Sequence, residues 1–188
     1  MTTHQRVTDD IVHRLVKICG ESGVIFGDPE KLDAYSHDEV ADRRYRHMPE
    51  AVVKPRSTDE VSKIMRLANS RLVPVTPRGA GSGLSGGAVP VDGGIVLALE
   101  RMNRILEVDA KNMMVTVEPG VVTNEINAAV KEYGLFYAGY PMSLETCFVG
   151  GNIAENAGGG KAIKYGVTGR YVYGLEAVLP SGDVIHLG

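Results

Sequence analysis

The chain has 188 residues, of which 44% are hydrophobic and 23% are charged, and its formal net charge is −3. This length suits one domain or a small pair, and the composition is ordinary for a globular protein. The weakly acidic charge gives no basic field for nucleic acid, and no apolar run approaches the roughly 20 residues that span a bilayer. Because the N-terminus also lacks an apolar signal core, the sequence predicts a cytoplasmic protein.

The first residues of the chain have the hydrophobic period of a helix. Apolar residues at helical spacing predict an amphipathic helix over 8–19, closed by Gly20. A short apolar run follows at 24–26, and Pro29 favours the start of a second helix that would reach about Tyr35. The first fifty residues therefore form an N-terminal helical segment.

The segment 37–47 is charged and has no hydrophobic period. Such a stretch is typical of solvated surface, which is the interpretation we favour, and the alternative is a flap over a ligand. Its two histidines are too loosely spaced to indicate a metal site, so no metal is predicted.

A strand–helix–strand unit comes next. The strand at 51–54 is followed by Ser57 and Glu60, which have the spacing of a capping box, and then by an apolar stripe at helical spacing. The next strand is predicted at 73–76. Since this pattern is typical of a βαβ crossover, we expect the two strands to be parallel, and a further buried strand follows at 95–99.

After residue 99 the pattern becomes mainly antiparallel. Strands at 105–108 and 113–117 are joined by a turn and predict a hairpin, and a helix is predicted over 123–133. A second hairpin is predicted over 175–187, around the turn Pro180-Ser181-Gly182-Asp183.

Cys19 and Cys147 are the two cysteines of the chain. Because they form no C-x-x-C pair, neither a zinc knuckle nor an intrinsic iron–sulfur cluster is expected. Both have apolar neighbours and are predicted to be small buried hydrophobic residues, with a disulfide between them as the alternative.

The most informative stretch is 77–87, Pro-Arg-Gly-Ala-Gly-Ser-Gly-Leu-Ser-Gly-Gly, between two predicted strands. Glycines reach positive φ and leave backbone N–H groups bare, so such a loop can form an anion-binding concavity. Arg78 would add a cation at its edge, and Ser82 and Ser85 add hydroxyl donors. We interpret the loop as a cradle for phosphate or pyrophosphate, and a flexible loop without a ligand is the alternative.

Two familiar phosphate loops are excluded by their context. Gly81–Gly86 spells G-x-G-x-x-G, but the glycine- and proline-rich residues that follow are hostile to the helix that a Rossmann motif needs. Gly159-Gly160-Lys161 fails as a P-loop, since Glu155 and Ala162 stand where glycine and Ser or Thr are required.

A second glycine-rich stretch, 150–160, carries the amide side chains of Asn152 and Asn156. Two such stretches far apart in sequence suggest two walls around one extended ligand, which we expect between the parallel and antiparallel parts of the chain.

Together, the two stretches resemble the FAD-binding domain of the vanillyl-alcohol oxidase / p-cresol methylhydroxylase (PCMH) superfamily, especially its group of glycolate oxidases and D-lactate dehydrogenases. The resemblance runs from about Ala51 to Gly188, with a weaker echo at 33–36. It implies an α+β fold of PCMH type, with a small parallel α/β subdomain over 51–104 and a mainly antiparallel α+β subdomain over 105–188.

The resemblance also implies the cofactor contacts. The first stretch would wrap the FAD pyrophosphate, 141–143 would pass near the flavin, 150–159 would form the second wall, and a lesser contact segment would follow as far as Thr168. For Tyr165, a role in packing is the alternative. The implied cofactor-binding residues are Pro77, Arg78, Gly79, Ala80, Gly81, Ser82, Gly83, Leu84, Ser85, Gly86, Pro141, Met142, Ser143, Gly150, Gly151, Asn152, Ala154, Asn156, Gly158, Gly159, Tyr165 and Gly166.

The implied activity is oxidation of a small 2-hydroxy acid such as glycolate or D-lactate, by hydride transfer to FAD. Some members of the superfamily attach the flavin through a histidine of the first loop, whereas this chain has Gly81-Ser82-Gly83 there, so non-covalent FAD is expected. The resemblance assigns no catalytic residue. An unusual setting around Ser143, with Met142 and Leu144, leaves the exact substrate open.

The family pattern continues beyond Gly188 into further FAD-domain strands and a substrate-binding cap domain. The fold is therefore expected to be incomplete at its C-terminus, and the chain alone is expected to lack activity. One alternative is a stand-alone FAD or dinucleotide-binding module that serves a partner, such as an electron-acceptor or iron–sulfur protein. The other is an interaction domain without a ligand.

Overall fold

A four-stranded sheet organises the first half of the chain. The computed structural model describes residues 4–188, apart from the side chain of Arg43. Contacts within the chain define one unit that ends at Arg101 and also includes Gly174–Gly188, and another unit over Met102–Tyr173. The predicted subdomains, 51–104 and 105–188, are parts of a family fold, and a division of the chain by contacts does not test them. Their boundaries stay a prediction.

The sheet contains β1 (Val24–Phe26), β2 (Ala51–Val53), β3 (Val75–Arg78) and β4 (Ile95–Ala98), in the order β1-β2-β4-β3. β1 is antiparallel to β2, whereas β2, β4 and β3 are mutually parallel, which confirms the predicted parallel strands and places β4 between them. Every residue of β2 and β4 is buried, as expected for strands covered on both faces. Since β3 is an edge strand, it tolerates Pro77, which has no N–H to donate.

Three helices belong to this unit: α1 (Asp9–Cys19), α2 (Pro29–Asp33) and α3 (Thr58–Ser70). α1 is confirmed, and α2 ends two residues earlier than predicted. At the start of α3, the Ser57 hydroxyl accepts the N–H of Glu60 at 3.3 Å, as the capping box predicts. The Glu60 carboxylate accepts the N–H of Arg56 at 2.8 Å, one residue before the N-cap.

The C-terminal hairpin also lies in the first unit. It consists of β7 (Leu175–Val178) and β8 (Val184–Leu187), which pair in antiparallel fashion as predicted. The Ser62 hydroxyl of α3 donates to the carbonyl of Gly182 in the hairpin turn at 2.5 Å. The hairpin is thereby attached to a helix that lies more than a hundred residues earlier in the chain.

The second unit begins with the predicted hairpin, formed by β5 (Ile105–Asp109) and β6 (Met114–Val117). α4 (Thr123–Val130) follows and continues as a 3₁₀ turn to Tyr133, so the predicted helix is confirmed. In the core of the second unit, side chains of α4 and of neighbouring segments pack against both strands of the hairpin. The buried members of this core are Val121, Ile126 and Val149.

Two short helices were not predicted, α5 (Val149–Ala154) and α6 (Ala162–Tyr165). The second glycine-rich stretch is therefore helical at its N-terminal end, which its composition did not predict. Gly150 lies against Pro119, since a Cβ there would be 2.7 Å from the proline Cβ. Close packing requires this glycine, and packing overrides its low helix propensity. Among the described residues, no helix is long and apolar enough to cross a membrane.

Candidate functional site

The first glycine-rich stretch connects β3 to β4. No residue of 79–94 is helical, which agrees with the exclusion of a Rossmann motif. The loop is fixed at its ends, where Arg78 is 7% exposed and Val89 3% exposed, while Leu84 in its middle is 76% exposed. The loop therefore has buried ends and an exposed centre, where a ligand could reach the backbone.

Backbone donors are available in this loop. The N–H groups of Gly81, Ser82 and Gly83 donate no hydrogen bond to any residue that the structure describes. Gly81 has φ 74°, the left-handed region that glycine adopts without strain. Consecutive N–H groups without an internal acceptor are typical of an anion-binding concavity, so this donor set fits a diphosphate.

The Arg78 guanidinium is buried against the backbone of Gly81 and bonds to carbonyls of the chain. Its guanidinium donates to the backbone carbonyls of His37 at 2.7 Å, Ala34 at 3.3 Å and Ala88 at 3.4 Å. Burial lowers the pKa of this guanidinium. Its fork of donors thus joins the segment 34–37 to Ala88 of the loop, and its direct contact with a cofactor stays a prediction.

The segment before β2 packs against the loop, which the sequence did not indicate. The Asp38 carboxylate accepts the N–H of Gly86 at 2.8 Å, and the N–H of Glu39 donates to the carbonyl of Gly83 at 3.0 Å. Asp38 is buried, so the interpretation of 37–47 as solvated surface is wrong for this residue, although Glu39 is exposed. The faint family resemblance at 33–36 was the one signal in the sequence that this segment belongs to the fold.

A polar cluster lies beside Arg78. The Tyr35 hydroxyl donates to Glu100 at 3.1 Å, and the Lys54 ammonium pairs with the same carboxylate at 2.6 Å. The Tyr35 ring also faces both cations, at 5.3 Å from Lys54 and 5.6 Å from Arg78. Burial raises the pKa of Tyr35; for Lys54, burial acts to lower the pKa, but its hydrogen bonds to Glu100 and Tyr35 outweigh it and raise the pKa.

In the second unit, the structure brings two predicted contact segments together. A Cβ on Gly159 would meet the Tyr140 carbonyl and would lie 3.0 Å from the Met142 amide nitrogen, so residues 140–142 lie directly against Gly159. Met142 is 88% exposed, whereas Pro141 beside it is buried. The Ser143 carbonyl accepts the N–H of Cys147 at 2.8 Å and fixes the turn.

The two asparagines of the second stretch have protein partners. Asn152 is buried, and its side-chain amide donates to the Thr123 hydroxyl at 2.6 Å. Asn156 adopts φ 52°, and its side-chain oxygen accepts the N–H of Gly169 at 2.9 Å. These side chains hold α5 and the following turn in place, and their cofactor contacts stay predictions.

The contact segment after the second stretch is equally well packed. The Tyr165 ring lies edge-on against Phe136 with centroids 5.6 Å apart, which supports its alternative role in packing. Gly166 has φ 84°, and the buried Thr168 hydroxyl donates to the Ala157 carbonyl at 2.7 Å.

The other predicted site residues differ in exposure. Pro77 is an exposed residue of β3, and Gly79 is half-buried. Gly151 faces open space, while Gly158 packs against Val167. The remaining exposed members of the predicted set are Ala80, Leu84, Ser85, Ala154, Asn156 and Gly158.

Comparisons with known proteins show the family and the fold of the chain. A family model described as FAD binding domain matches residues 49–188. The glycolate oxidase subunit GlcD of Bacillus subtilis (strain 168) is 44% identical over 182 residues, which are 97% of this chain and 38% of that protein. A D-lactate dehydrogenase of Anaerostipes hadrus is 38% identical over 185 residues, 98% of this chain and 38% of that protein.

Among solved structures, p-cresol methylhydroxylase with substrate bound superposes with a TM-score of 0.80 at 25% identity. The match covers 97% of this chain and 36% of that one. The mixed α+β architecture of PCMH type is thereby confirmed. The chain spans well under half the length of each of these three proteins.

Proposed function

Since the chain belongs to the FAD binding domain family, we propose that the loop between β3 and β4 holds the diphosphate of FAD. The observation that carries this proposal is the run of N–H groups at Gly81, Ser82 and Gly83, which lack an acceptor among the described residues. A phosphate oxygen is the acceptor that such a run of backbone donors suits best. The non-covalent state follows from the same residues, because none of them has a nucleophilic ring nitrogen.

We also propose roles for the second unit. Pro141, Met142 and Ser143 would contact the flavin and its ribityl chain, and the high exposure of Met142 supports this role. The stretch 150–159 would supply a second set of contacts through backbone groups, since Asn152 and Asn156 use their side chains within the protein.

Bound FAD would supply the redox chemistry, since its ring takes up the hydride that leaves the substrate carbon. The residues of this chain bind and orient. The loop N–H groups fix the diphosphate, and the buried Arg78 fixes the loop from behind. None of them is proposed to move the substrate proton.

The proposed activity of the whole protein is oxidation of a small 2-hydroxy acid such as glycolate or D-lactate. Two relatives support it by their names, one a glycolate oxidase component and the other a D-lactate dehydrogenase. Because the chain covers 38% of each, the activity is assigned to a protein of which this chain is one part. Assay of that protein with glycolate, D-lactate and an artificial electron acceptor tests the assignment.

A partner protein is part of the proposal, since the Bacillus relative is named as one subunit of an oxidase. Such a partner would accept electrons, with an iron–sulfur protein as one candidate, and co-purification from the native source tests it. We propose a cytoplasmic location, supported by two buried cysteines that are free thiols in the structure, and cell fractionation tests it.

Cofactor titration tests the diphosphate site directly. We expect FAD to bind at least about tenfold more tightly than FMN, because FMN offers a single terminal phosphate and forfeits charge-assisted hydrogen bonds. Quenching of flavin fluorescence measures both affinities on one preparation, with riboflavin as the control without phosphate. Equal affinity for FAD and FMN would remove the diphosphate assignment.

A further inference from the structure

We propose that Asp38 is a positioning residue, which holds the glycine-rich loop in its cofactor-binding conformation before the cofactor arrives. The inference deepens the proposed function and rests on it for the identity of the ligand. The contact between Asp38 and the loop is independent of the proposed function, because the structure contains it.

Asp38 is 6% exposed, and its carboxylate bonds to two backbone N–H groups. One oxygen accepts from Val40 at 3.0 Å and the other accepts from Gly86 at 2.8 Å. A carboxylate that accepts two N–H bonds in a buried place is held firmly, because losing either bond leaves a buried charge short of a donor. Gly86 is thus tied to a segment almost fifty residues earlier in the chain.

Further contacts complete the attachment on both sides of Asp38. The next residue, Glu39, donates its N–H to the Gly83 carbonyl at 3.0 Å. The preceding residue, His37, offers its carbonyl to Arg78 at 2.7 Å. Three consecutive residues therefore hold the loop at its start, its middle and its end.

These attachments leave the proposed ligand donors alone. The bonds to the loop use the Gly83 carbonyl and the Gly86 N–H, while the N–H groups of Gly81, Ser82 and Gly83 have no acceptor among the described residues. Fixing a loop in its bound shape raises affinity, because less conformational entropy is lost on binding. Asp38 would contribute to FAD affinity in this way, without touching FAD.

The negative charge of Asp38 has a compensating partner. Arg78 donates to the carbonyl of His37, the residue next to Asp38, at 2.7 Å. Burial lowers the pKa of the Arg78 guanidinium, and Tyr35, Asp38 and Glu100 act in the opposite direction. With the Asp38 charge balanced in this way, its repulsion of a diphosphate is reduced. Without that balance, the Asp38 charge would repel the diphosphate, and its removal would tighten FAD binding.

The experiment compares Asp38→Ala and Asp38→Asn in the full protein, with Asp42→Ala as the matched control. Asp42 lies in the same segment and accepts an N–H from Arg44 at 3.0 Å, so its loss removes an equal charge from a bond that does not involve the loop. Two quantities are measured: FAD affinity by fluorescence titration, and amide hydrogen exchange over 79–88 in the FAD-free protein. Circular dichroism confirms that each variant folds.

We expect Asp38→Ala to weaken FAD binding by about tenfold to 100-fold and to speed exchange in the loop, since a buried charge-assisted hydrogen bond is lost. Asp38→Asn keeps one acceptor oxygen and should fall between Asp38→Ala and the unmodified protein. Should Asp38→Ala fail to fold, Asp38→Asn carries the test alone. Asp42→Ala should change neither quantity.

Two results overturn the inference: loop exchange that stays unchanged without the Asp38 carboxylate, and FAD affinity that stays equal or rises while exchange speeds up. Failure of the unmodified protein to bind FAD is a different result. It removes the proposed function, while the exchange data still decide whether Asp38 holds the loop.

Discussion

At the residue scale, glycines with similar backbone angles serve different ends. Gly81 and Gly20 both have φ 74°, but a Cβ on Gly20 would meet nothing within 4 Å, whereas a Cβ on Gly81 would collide with the Arg78 guanidinium. The sequence shows that glycine is frequent in the loop. It cannot show which glycine faces a buried cation, because that cation is held by carbonyls of a distant segment.

This pair allows a matched test of the loop. Gly20→Ala is expected to cost about 1–3 kcal/mol of folding free energy, because φ 74° with ψ 163° is a backbone conformation that is essentially restricted to glycine, and to leave FAD affinity unchanged. Gly81→Ala adds a clash with Arg78, and we expect it to weaken FAD binding by at least about tenfold. Chemical denaturation and fluorescence titration measure the two effects. If Gly81→Ala keeps full FAD affinity, the loop is a structural turn and not a cradle.

The same limit on sequence reasoning applies to polar side chains. Arg78 and Asn152 were identified as site residues from the sequence, and both use their side-chain donors within the protein. A side chain with hydrogen-bond donors in a glycine-rich stretch indicates that the stretch is polar, but not which group accepts the hydrogen bonds. The partner of Asn152 is Thr123, whose position depends on the packing of α4 against α5.

At the element scale, periodicity predicted most helices and strands correctly. The amphipathic stripes of α1 and α3 and the apolar run of β4 were read directly from the sequence. α5 was missed, since two consecutive glycines argue against a helix and only the close approach of Pro119 explains Gly150. The order of strands was equally hidden, because no local pattern says that β4 enters between β2 and β3.

One side chain holds the end of β6 in place. Glu118 is 8% exposed at its side chain, and its carboxylate accepts from the Arg104 backbone N–H at 2.8 Å and from the guanidinium at 2.7 Å. These hydrogen bonds from Arg104 lower the pKa of Glu118 below its usual value of 4.5. The next residue is Pro119, against which Gly150 packs.

This interaction predicts a pH dependence of stability. A carboxyl whose pKa is lowered by folding stabilises the protein above its unfolded pKa, and this stabilisation is lost as the pH falls through the folded pKa. Glu118→Gln should therefore cost about 1 kcal/mol at neutral pH, because a charge-assisted pair is lost whose Arg104 partner is exposed to solvent. The difference from the unmodified protein should shrink from about pH 4.5 downward, beginning at the ordinary carboxyl value.

Denaturant unfolding at several pH values measures this difference, with Glu107→Gln on the exposed face of β5 as the control. A gap in stability that persists unchanged at about pH 3 would show that Glu118 acts through packing and not through its charge.

At the scale of the whole molecule, the predicted cofactor contacts are divided between the two units. The first unit carries the loop after β3, and the second carries 141–143 and 150–166. The family resemblance predicted the overall α+β architecture, and the superposition with p-cresol methylhydroxylase confirms it. The placement of the C-terminal hairpin on α3 was not predictable from sequence, since it depends on the Ser62 hydroxyl meeting a turn far along the chain.

The state of the flavin is a property of the whole protein. We expect the purified full-length protein to be yellow and to release all its FAD into the supernatant on acid precipitation. The reason is that the first loop holds Gly81-Ser82-Gly83, without a histidine to bond the flavin ring. Absorbance of the supernatant near the flavin band measures the release. Colour that stays with the precipitated protein would reveal a covalent link.

The position of β4 has a consequence for the order in which the protein takes shape. β4 leaves the ribosome after β2 and β3, yet it fills the gap between them. Until β4 is made, β2 and β3 lack the strand that pairs with both of them, and the glycine-rich segment before β4 is not yet closed into a loop. We therefore expect the glycine-rich loop to take shape late, as the sheet closes, and FAD to bind after the sheet has formed rather than to nucleate it.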